Sequence, residues 1–87
     1  MADPIAEAHA RFRARLPARV DEIETAWRAG DRKAAAAAAH RLAGAGATFG
    51  MPAAGDVAKR LEHAFETEAD DDAIARDIAA LRRATEN

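Results

Sequence analysis

The stretch that most constrains the fold of this chain is residues 34–50, with the sequence AAAAAAHRLAGAGATFG. Alanine has the highest helix propensity of all residues and nothing before Gly44 interrupts the run, so the stretch predicts one helix. At about 100° per residue, the positions within roughly 60° of Leu42 form a single stripe, which we expect to be buried. That stripe consists of Ala35, Ala38, Ala39, Leu42, Ala45, Gly46 and Phe49.

His40 lies on the opposite side of this predicted helix, about 160° from Leu42, and should point into solvent. An exposed helix face normally carries long polar or charged side chains. Here the imidazole is surrounded by small residues instead. They are Ala36, Ala37, Ala43, Gly44 and Ala47.

The rest of the chain contains further amphipathic helical patterns and no strand pattern. The first pattern begins at Asp3-Pro4, a helix-capping pair, and continues with apolar residues every three or four positions as far as Trp27. Pro17 lies inside it, so we expect a short first helix followed by a longer one, with a single helix kinked at Pro17 as the alternative.

Turn and capping residues separate the remaining patterns at Gly30-Asp31, at Met51-Pro52 and at the acidic residues 70–72. Short connections between successive amphipathic helices favour antiparallel neighbours. The sequence therefore predicts one all-α domain over residues 1–87, an antiparallel up-and-down four-helix bundle, with either a short extra N-terminal helix or a kink at Pro17.

Composition excludes several classes of function. With 32% charged residues and a net charge of −2, the chain has no basic field suited to nucleic acid or to an anionic membrane. The absence of cysteine excludes disulfides, thiolate metal sites and thiol catalysis. No apolar run approaches the roughly 20 residues of a membrane span, and no secretory signal pattern opens the chain, so we expect a cytoplasmic protein.

Two glycines interrupt the alanine-rich helix, and each costs about 1 kcal/mol relative to alanine in a helix interior. Gly46 lies on the buried stripe, where close approach of another helix explains it. Gly44 lies on the exposed face, one turn after His40. Because helical side chains lean toward the N-terminus, any side chain at position 44 would lean over the imidazole. Gly44 is therefore predicted to keep His40 accessible.

An exposed imidazole can act as a nucleophile as well as an acid or a base. The turns around His40 contain no Ser, Cys or carboxylate for a catalytic triad, no glycine-rich phosphate cradle and no second metal ligand at helical spacing. His9 is expected at the edge of the core and His63 on a charged outer face, so we expect no metal site. These features suit a reaction in which another molecule supplies the rest of the active site, such as phosphoryl transfer.

A spaced motif carries a family resemblance. The pattern H-x-L-x-G-x5-G followed by a Leu-Glu pair is formed by His40, Leu42, Gly44, Gly50, Leu61 and Glu62. It resembles the histidine phosphotransfer (HPt) domain of two-component phosphorelays, and the similarity covers residues 12–65. The resemblance implies a four-helix bundle whose exposed histidine receives a phosphoryl group on Nε2 from a receiver-domain aspartyl phosphate and passes it to another receiver.

The resemblance also implies a phosphoryl carrier without kinase activity, with Mg²⁺ and the acidic pocket supplied by the receiver. The expected partners are receiver domains of response regulators or a hybrid histidine kinase, and the expected state is a monomer. We expect Ala36, Ala37, Ala43 and Ala47 to form part of the receiver-docking surface. Lys33 and Arg41 would contribute peripheral charge.

The chain departs from the family pattern at Ala43, where HPt domains usually have a lysine three residues after the histidine. Losing a cation beside a phosphoryl group would cost about 1–2 kcal/mol of stabilisation. Lys59 and Arg60, on the following helix, could lie level with His40, but the sequence leaves the direction of their side chains open. Ala43 therefore favours an alternative, a non-catalytic module that binds a receiver or a kinase. A third interpretation is a helical scaffold whose alanine face is buried against a second copy.

Overall fold

The computed structural model describes residues 3–86, and this part of the chain contains four helices and no strand. They are α1 (Pro4–Arg28), α2 (Arg32–Thr48), α3 (Pro52–Glu66) and α4 (Asp71–Thr85). Each helix packs against the next in the chain, and α4 packs against α1 to close the ring. The predicted all-α, up-and-down four-helix bundle is confirmed.

Of the two expectations at Pro17, the separate short helix is wrong and the single helix is observed, because α1 is one helix of 25 residues with Pro17 inside it. Pro17 is exposed, whereas Phe12, Leu16 and Val20 on either side of it are buried in one continuous stripe. A proline in a helix interior costs about 3 kcal/mol. Burial of each large apolar side chain contributes about 1.5–3 kcal/mol, so the stripe outweighs the cost.

Short turns set the antiparallel order of the helices. Three helices are followed by a residue in the left-handed region, namely Gly30 and Gly50 at φ 78 and Glu68 at φ 58. After Gly50, the N–H of Met51 donates to the C=O of Gly46 at 2.8 Å, the hydrogen bond of a Schellman motif. This bond reverses the chain tightly enough to bring α3 directly against α2. The N-caps whose side chains accept a backbone N–H are Asp3, Asp31 and Asp70.

The core is a thin column of aliphatic side chains between the four helices. Its largest fully buried members are Leu16, Val20, Ile23, Leu42, Leu61, Ile74 and Leu81. The predicted inner stripe of α2 is confirmed for Ala35, Ala38, Ala39, Leu42 and Gly46, whereas Ala45 and Phe49 are only half-buried. Alanine fills most of this stripe, so the other helices lie close to the α2 backbone.

The closest helix approach joins α2 to α3 through glycine. A Cβ atom on Gly46 would lie 2.8 Å from Cα of Gly55, and a Cβ atom on Gly55 would lie 3.0 Å from the carbonyl oxygen of Ala43. Neither distance leaves room for a methyl group between the two backbones. The interpretation of Gly46 as a point of close helix approach is confirmed.

The opposite end of the α2–α3 pair is held by Arg32, at the start of α2. Its guanidinium donates to the C=O groups of Ala64 at 3.1 Å, Phe65 at 3.3 Å and Ala69 at 3.2 Å. The last carbonyls of a helix have no partner within it, so this arginine satisfies the C-terminal end of α3. The two contacts fix α3 along α2 at both ends.

Ion pairs connect α1 with α4. Arg82 donates to Asp21 at 2.9 Å and to Glu24 at 2.7 Å. Hydrogen bonds donated by Arg82 and then by Arg28 lower the pKa of Glu24, and donation to Glu24 and then to Asp21 raises the pKa of Arg82. Because the folded-state pKa of Glu24 is lowered, its contribution to stability is fully present above the ordinary value of 4.5 and is lost as the pH falls through the lowered pKa.

We predict opposite effects for the same substitution at the two glycines of α2. Gly46→Ala should lower the free energy of unfolding by about 2 kcal/mol, because its methyl group would overlap the α3 backbone. Gly44→Ala should raise it by up to about 1 kcal/mol, because a Cβ atom there meets no atom within 4 Å and alanine is the better helix former. Chemical denaturation of both variants measures the difference. Equal effects of the two substitutions would contradict the backbone contact between α2 and α3.

Candidate functional site

His40 lies in the middle of α2, and 72% of its side chain is exposed. The helix presents it on the side opposite Leu42, which is 1% exposed. The periodicity of the alanine-rich helix thus fixes the direction of the imidazole, with the core on one side and solvent on the other.

The imidazole of His40 is held from α3 by Glu62. Nδ1 of His40 lies 2.8 Å from Oε2 of Glu62, whose side chain is 23% exposed. An ionised carboxylate can only accept a hydrogen bond, so Nδ1–H of His40 is the donor. In the neutral imidazole the other nitrogen, Nε2, then carries the free lone pair. No residue in 3–86 forms a hydrogen bond to Nε2, which leaves the nucleophilic nitrogen open to solvent.

The position of Glu62 follows from the packing of α2 against α3. At about 100° per residue, Glu62 and Gly55 fall on the same flank of α3, roughly 20° apart. Since Gly55 touches the backbone of α2, Glu62 two turns later also faces α2. In the sequence, Glu62 is distinguished only as part of the spaced motif. The position of Glu62 on this flank indicates its contact with His40 only when the register of α3 against α2 is known.

Most of the predicted docking residues surround one open depression beside His40. The depression has a volume of about 790 Å³ and lies between α2 and the C-terminal half of α3. It is lined by Arg32, Lys33, Ala36, Ala37, His40, Arg41, Glu62, Phe65 and Glu66. The structure therefore brings four of the predicted binding residues, Lys33, Ala36, Ala37 and Arg41, together with His40.

A second, smaller depression lies on the other side of the imidazole. Its volume is about 240 Å³, and it is lined by His40, Ala43, Gly44, Lys59 and Glu62. The predicted residues Ala43 and Gly44 are therefore also next to His40. Ala47, one turn further along α2, is exposed but lines neither depression.

The small residues around His40 are not equally exposed. Ala37, Gly44 and Ala47 face solvent as expected, whereas Ala36 and Ala43 are half-buried and pack against the core. The reason is that α3 covers the flank of α2 on which these two alanines lie. The exposed surface of small residues around His40 is consequently narrower than the helix pattern alone predicts.

Gly44 borders open space. A Cβ atom at this position would meet no atom within 4 Å, so an alanine would fit without touching the imidazole. Only a longer side chain, leaning toward the N-terminus, could reach over His40. The proposed clearance role of Gly44 stays a prediction, now restricted to side chains longer than a methyl group.

The positively charged side chains near His40 differ in whether they already form an ion pair. Arg41 pairs with Glu22 of α1 at 2.7 Å, and Arg60 pairs with Asp77 of α4 at 3.6 Å. Within residues 3–86, Lys33 and Lys59 form no hydrogen bond or ion pair. Lys59 also lines the smaller depression next to His40.

The other two histidines lie away from His40. His9 is half-buried, with its ring edge-on to Phe49 at 6.2 Å between centroids and against Gly50, as expected for the edge of the core. His63 is exposed on α3. Within residues 3–86, no group of three or more His, Asp or Glu side chains is placed to hold a metal ion. None of the four helices is both long and apolar enough to cross a membrane.

A family comparison explains this combination of bundle and exposed histidine. The model of the Hpt domain family matches residues 7–87, nearly the whole chain. The chain belongs to the Hpt domain family. The resemblance carried by the spaced motif is thereby confirmed, and the match extends it to α4. No curated protein and no solved structure matches the chain significantly.

Hpt domains are phosphotransfer modules of two-component signalling, and they carry phosphoryl groups rather than acting as kinases. They interact with receiver domains or histidine kinases in phosphorelays. The Hpt chain described here has a four-helix bundle in residues 3–86, as expected for that family.

We predict that Glu62 selects the tautomer of His40. In the wild-type Hpt domain, neutral His40 should carry its proton on Nδ1, and in Glu62→Ala the proton should move mainly to Nε2, the form that free histidine side chains favour. Nitrogen-15 chemical shifts of the imidazole, recorded where the ring is neutral, distinguish the two forms. Glu66→Ala is the matched control, because Glu66 lines the same depression without bonding to His40. An unchanged tautomer in Glu62→Ala would contradict the assignment.

Proposed function

We propose that His40 accepts a phosphoryl group from the aspartyl phosphate of a receiver domain and passes it to another receiver in a multistep phosphorelay. The observation that carries this proposal is the hydrogen bond from Nδ1–H of His40 to Glu62, which leaves an exposed Nε2 with a free lone pair. Membership of the Hpt domain family supplies the reaction class.

The transfer step is a displacement at phosphorus. The Nε2 lone pair of His40 attacks the phosphorus atom of the receiver's aspartyl phosphate. A P–N bond forms, the P–O bond to the aspartate breaks, and the aspartate leaves as a carboxylate. No proton has to leave Nδ1 during the step, so the product is a phosphorylated imidazolium ring whose positive charge faces Glu62. A protonated imidazole is a good leaving group, and the reverse displacement by a second receiver's aspartate returns His40 to its starting form.

The partner completes the site. A receiver would supply the aspartyl phosphate, the acidic pocket and a bound Mg²⁺ that neutralises phosphoryl charge. The exposed small residues Ala37, Gly44 and Ala47 would let the receiver approach the α2 backbone. Lys33 and Arg41 lie at the margin of the larger depression, where they would speed the encounter with an acidic partner.

One test separates phosphotransfer from docking alone. The wild-type protein is incubated with a panel of phosphorylated receivers and the phospho-forms are resolved on a gel. We expect the wild type to acquire acid-labile, alkali-stable phosphate and His40→Gln to acquire none. His63→Gln is the matched control, because His63 is an exposed histidine of α3 that lines neither depression.

The remaining outcomes decide between the alternatives. Receiver binding without phosphoryl exchange, unchanged in His40→Gln, would contradict the proposal and support the non-catalytic module favoured by Ala43. Self-association through the α2 face, measured by sedimentation and abolished by Ala37→Glu, would support the scaffold interpretation instead.

A further inference from the structure

We propose that Lys59 of α3 pairs with the phosphoryl group on His40, and so supplies from a neighbouring helix the positive charge that α2 lacks at Ala43. The proposal rests on phosphorylation of His40. It assigns to Lys59 a role that neither the helix pattern nor the family motif gives it.

The smaller depression beside His40 provides the location. It is formed on one side by the imidazole, Ala43 and Gly44, and on the other by Lys59 and Glu62. A Cβ atom on Gly44 would meet no atom within 4 Å, so this space is open next to the ring. A phosphoryl group attached to Nε2 would enter solvent beside this opening, which Lys59 also lines.

The flank of α3 on which Lys59 lies distinguishes it from Arg60. At about 100° per residue, Lys59 is roughly 60° from Glu62, on the side of α3 that faces α2. Arg60 lies on the opposite flank and pairs with Asp77 of α4 at 3.6 Å. Of these two adjacent cations, only Lys59 lines the depression at His40.

Lys59 is one of two cations near the ring with no competing partner, and the other, Lys33, lies two turns before His40 and lines only the larger depression. Arg41 is engaged by Glu22 at 2.7 Å, and Arg32 by three carbonyl groups at the end of α3. Lys59 forms no ion pair or hydrogen bond within residues 3–86. The charged groups that face the two depressions are Arg32, Lys33 and Arg41 from α2 and Lys59, Glu62 and Glu66 from α3.

The packing of α2 against α3 explains why the positive charge would come from α3 and not from position 43 of α2. Ala43 is half-buried, and its carbonyl oxygen lies 3.0 Å from the position of a Cβ atom on Gly55. Position 43 is thus partly covered by α3, while the adjacent flank of α3 contacts the imidazole through Glu62 and brings Lys59 to the same depression. Glu62 and Lys59, three residues apart, would then contact different parts of the phosphorylated ring. The carboxylate faces Nδ1–H, and the ammonium faces the phosphoryl oxygens.

The test uses a small phosphodonor, so that it does not depend on any receiver. Wild type, Lys59→Gln, Lys59→Arg and the matched control Arg60→Gln are phosphorylated on His40 with phosphoramidate, and the phosphoryl group is titrated by phosphorus-31 NMR. An adjacent ammonium favours the more highly charged form, so we expect the acid dissociation constant of the phosphoryl group to fall about three- to tenfold in Lys59→Gln. It should stay within twofold of wild type in Lys59→Arg and in Arg60→Gln.

A titration of Lys59→Gln that matches wild type, or an equal change in Arg60→Gln, would overturn the proposal. Failure of phosphoramidate to modify wild-type His40 would overturn it as well, because Nε2 would not be the open nucleophile that the proposal requires. If phosphoramidate modifies His40 and the Lys59 effect is found, but no receiver exchanges phosphate with the protein, the relay function fails and the assignment of Lys59 stands.

Discussion

The backbone contact between α2 and α3 at Gly46 and Gly55 is the constraint on which the rest of the molecule depends. A methyl group at either glycine would meet backbone atoms of the other helix at 2.8–3.0 Å. At the far end of the pair, Arg32 binds the last carbonyls of α3. Because both ends are fixed, α3 cannot slide or rotate along α2, and the side chains on its inner flank occupy set positions beside His40.

The chemistry of the site follows from this fixed pair of helices. A histidine on an isolated helix would expose both ring nitrogens to water and would carry its proton mainly on Nε2. Here Glu62 occupies Nδ1 at 2.8 Å while the exposed small residues of α2 leave Nε2 free. One helix therefore presents the imidazole, and the other determines which of its nitrogens carries the free lone pair. The proposed pairing of Lys59 with the phosphoryl group extends the same division between the two helices.

Local sequence patterns predicted the helices, their caps, the buried stripe of α2 and the exposure of His40, because each depends on periodicity within one element. The separate short helix expected before Pro17 is absent, and the continuous α1 was only the alternative expectation, since burial of the stripe against other helices outweighs the local cost of proline. The role of Glu62 was also missed. It depends on the register between α2 and α3, which brings together two residues 22 positions apart, and no single-helix pattern contains that register.

The half-burial of Ala36 and Ala43 was missed for the same reason. On the helical wheel both belong to the exposed side of α2, and only the position of α3 covers them. The family motif includes part of the missing information, because the Leu61-Glu62 pair lies where α3 contacts the histidine. The motif identifies these residues but does not show the hydrogen bond between His40 and Glu62.

The most direct test of the central claim is to identify the ring nitrogen of His40 that carries phosphorus. The phosphorylated protein, labelled with nitrogen-15 at its histidines, would be examined by NMR for the coupling between phosphorus and nitrogen. We predict a single P–N bond, to Nε2 of His40, with the proton retained on Nδ1. Phosphorus on Nδ1, or on His9 or His63 in place of His40, would contradict it.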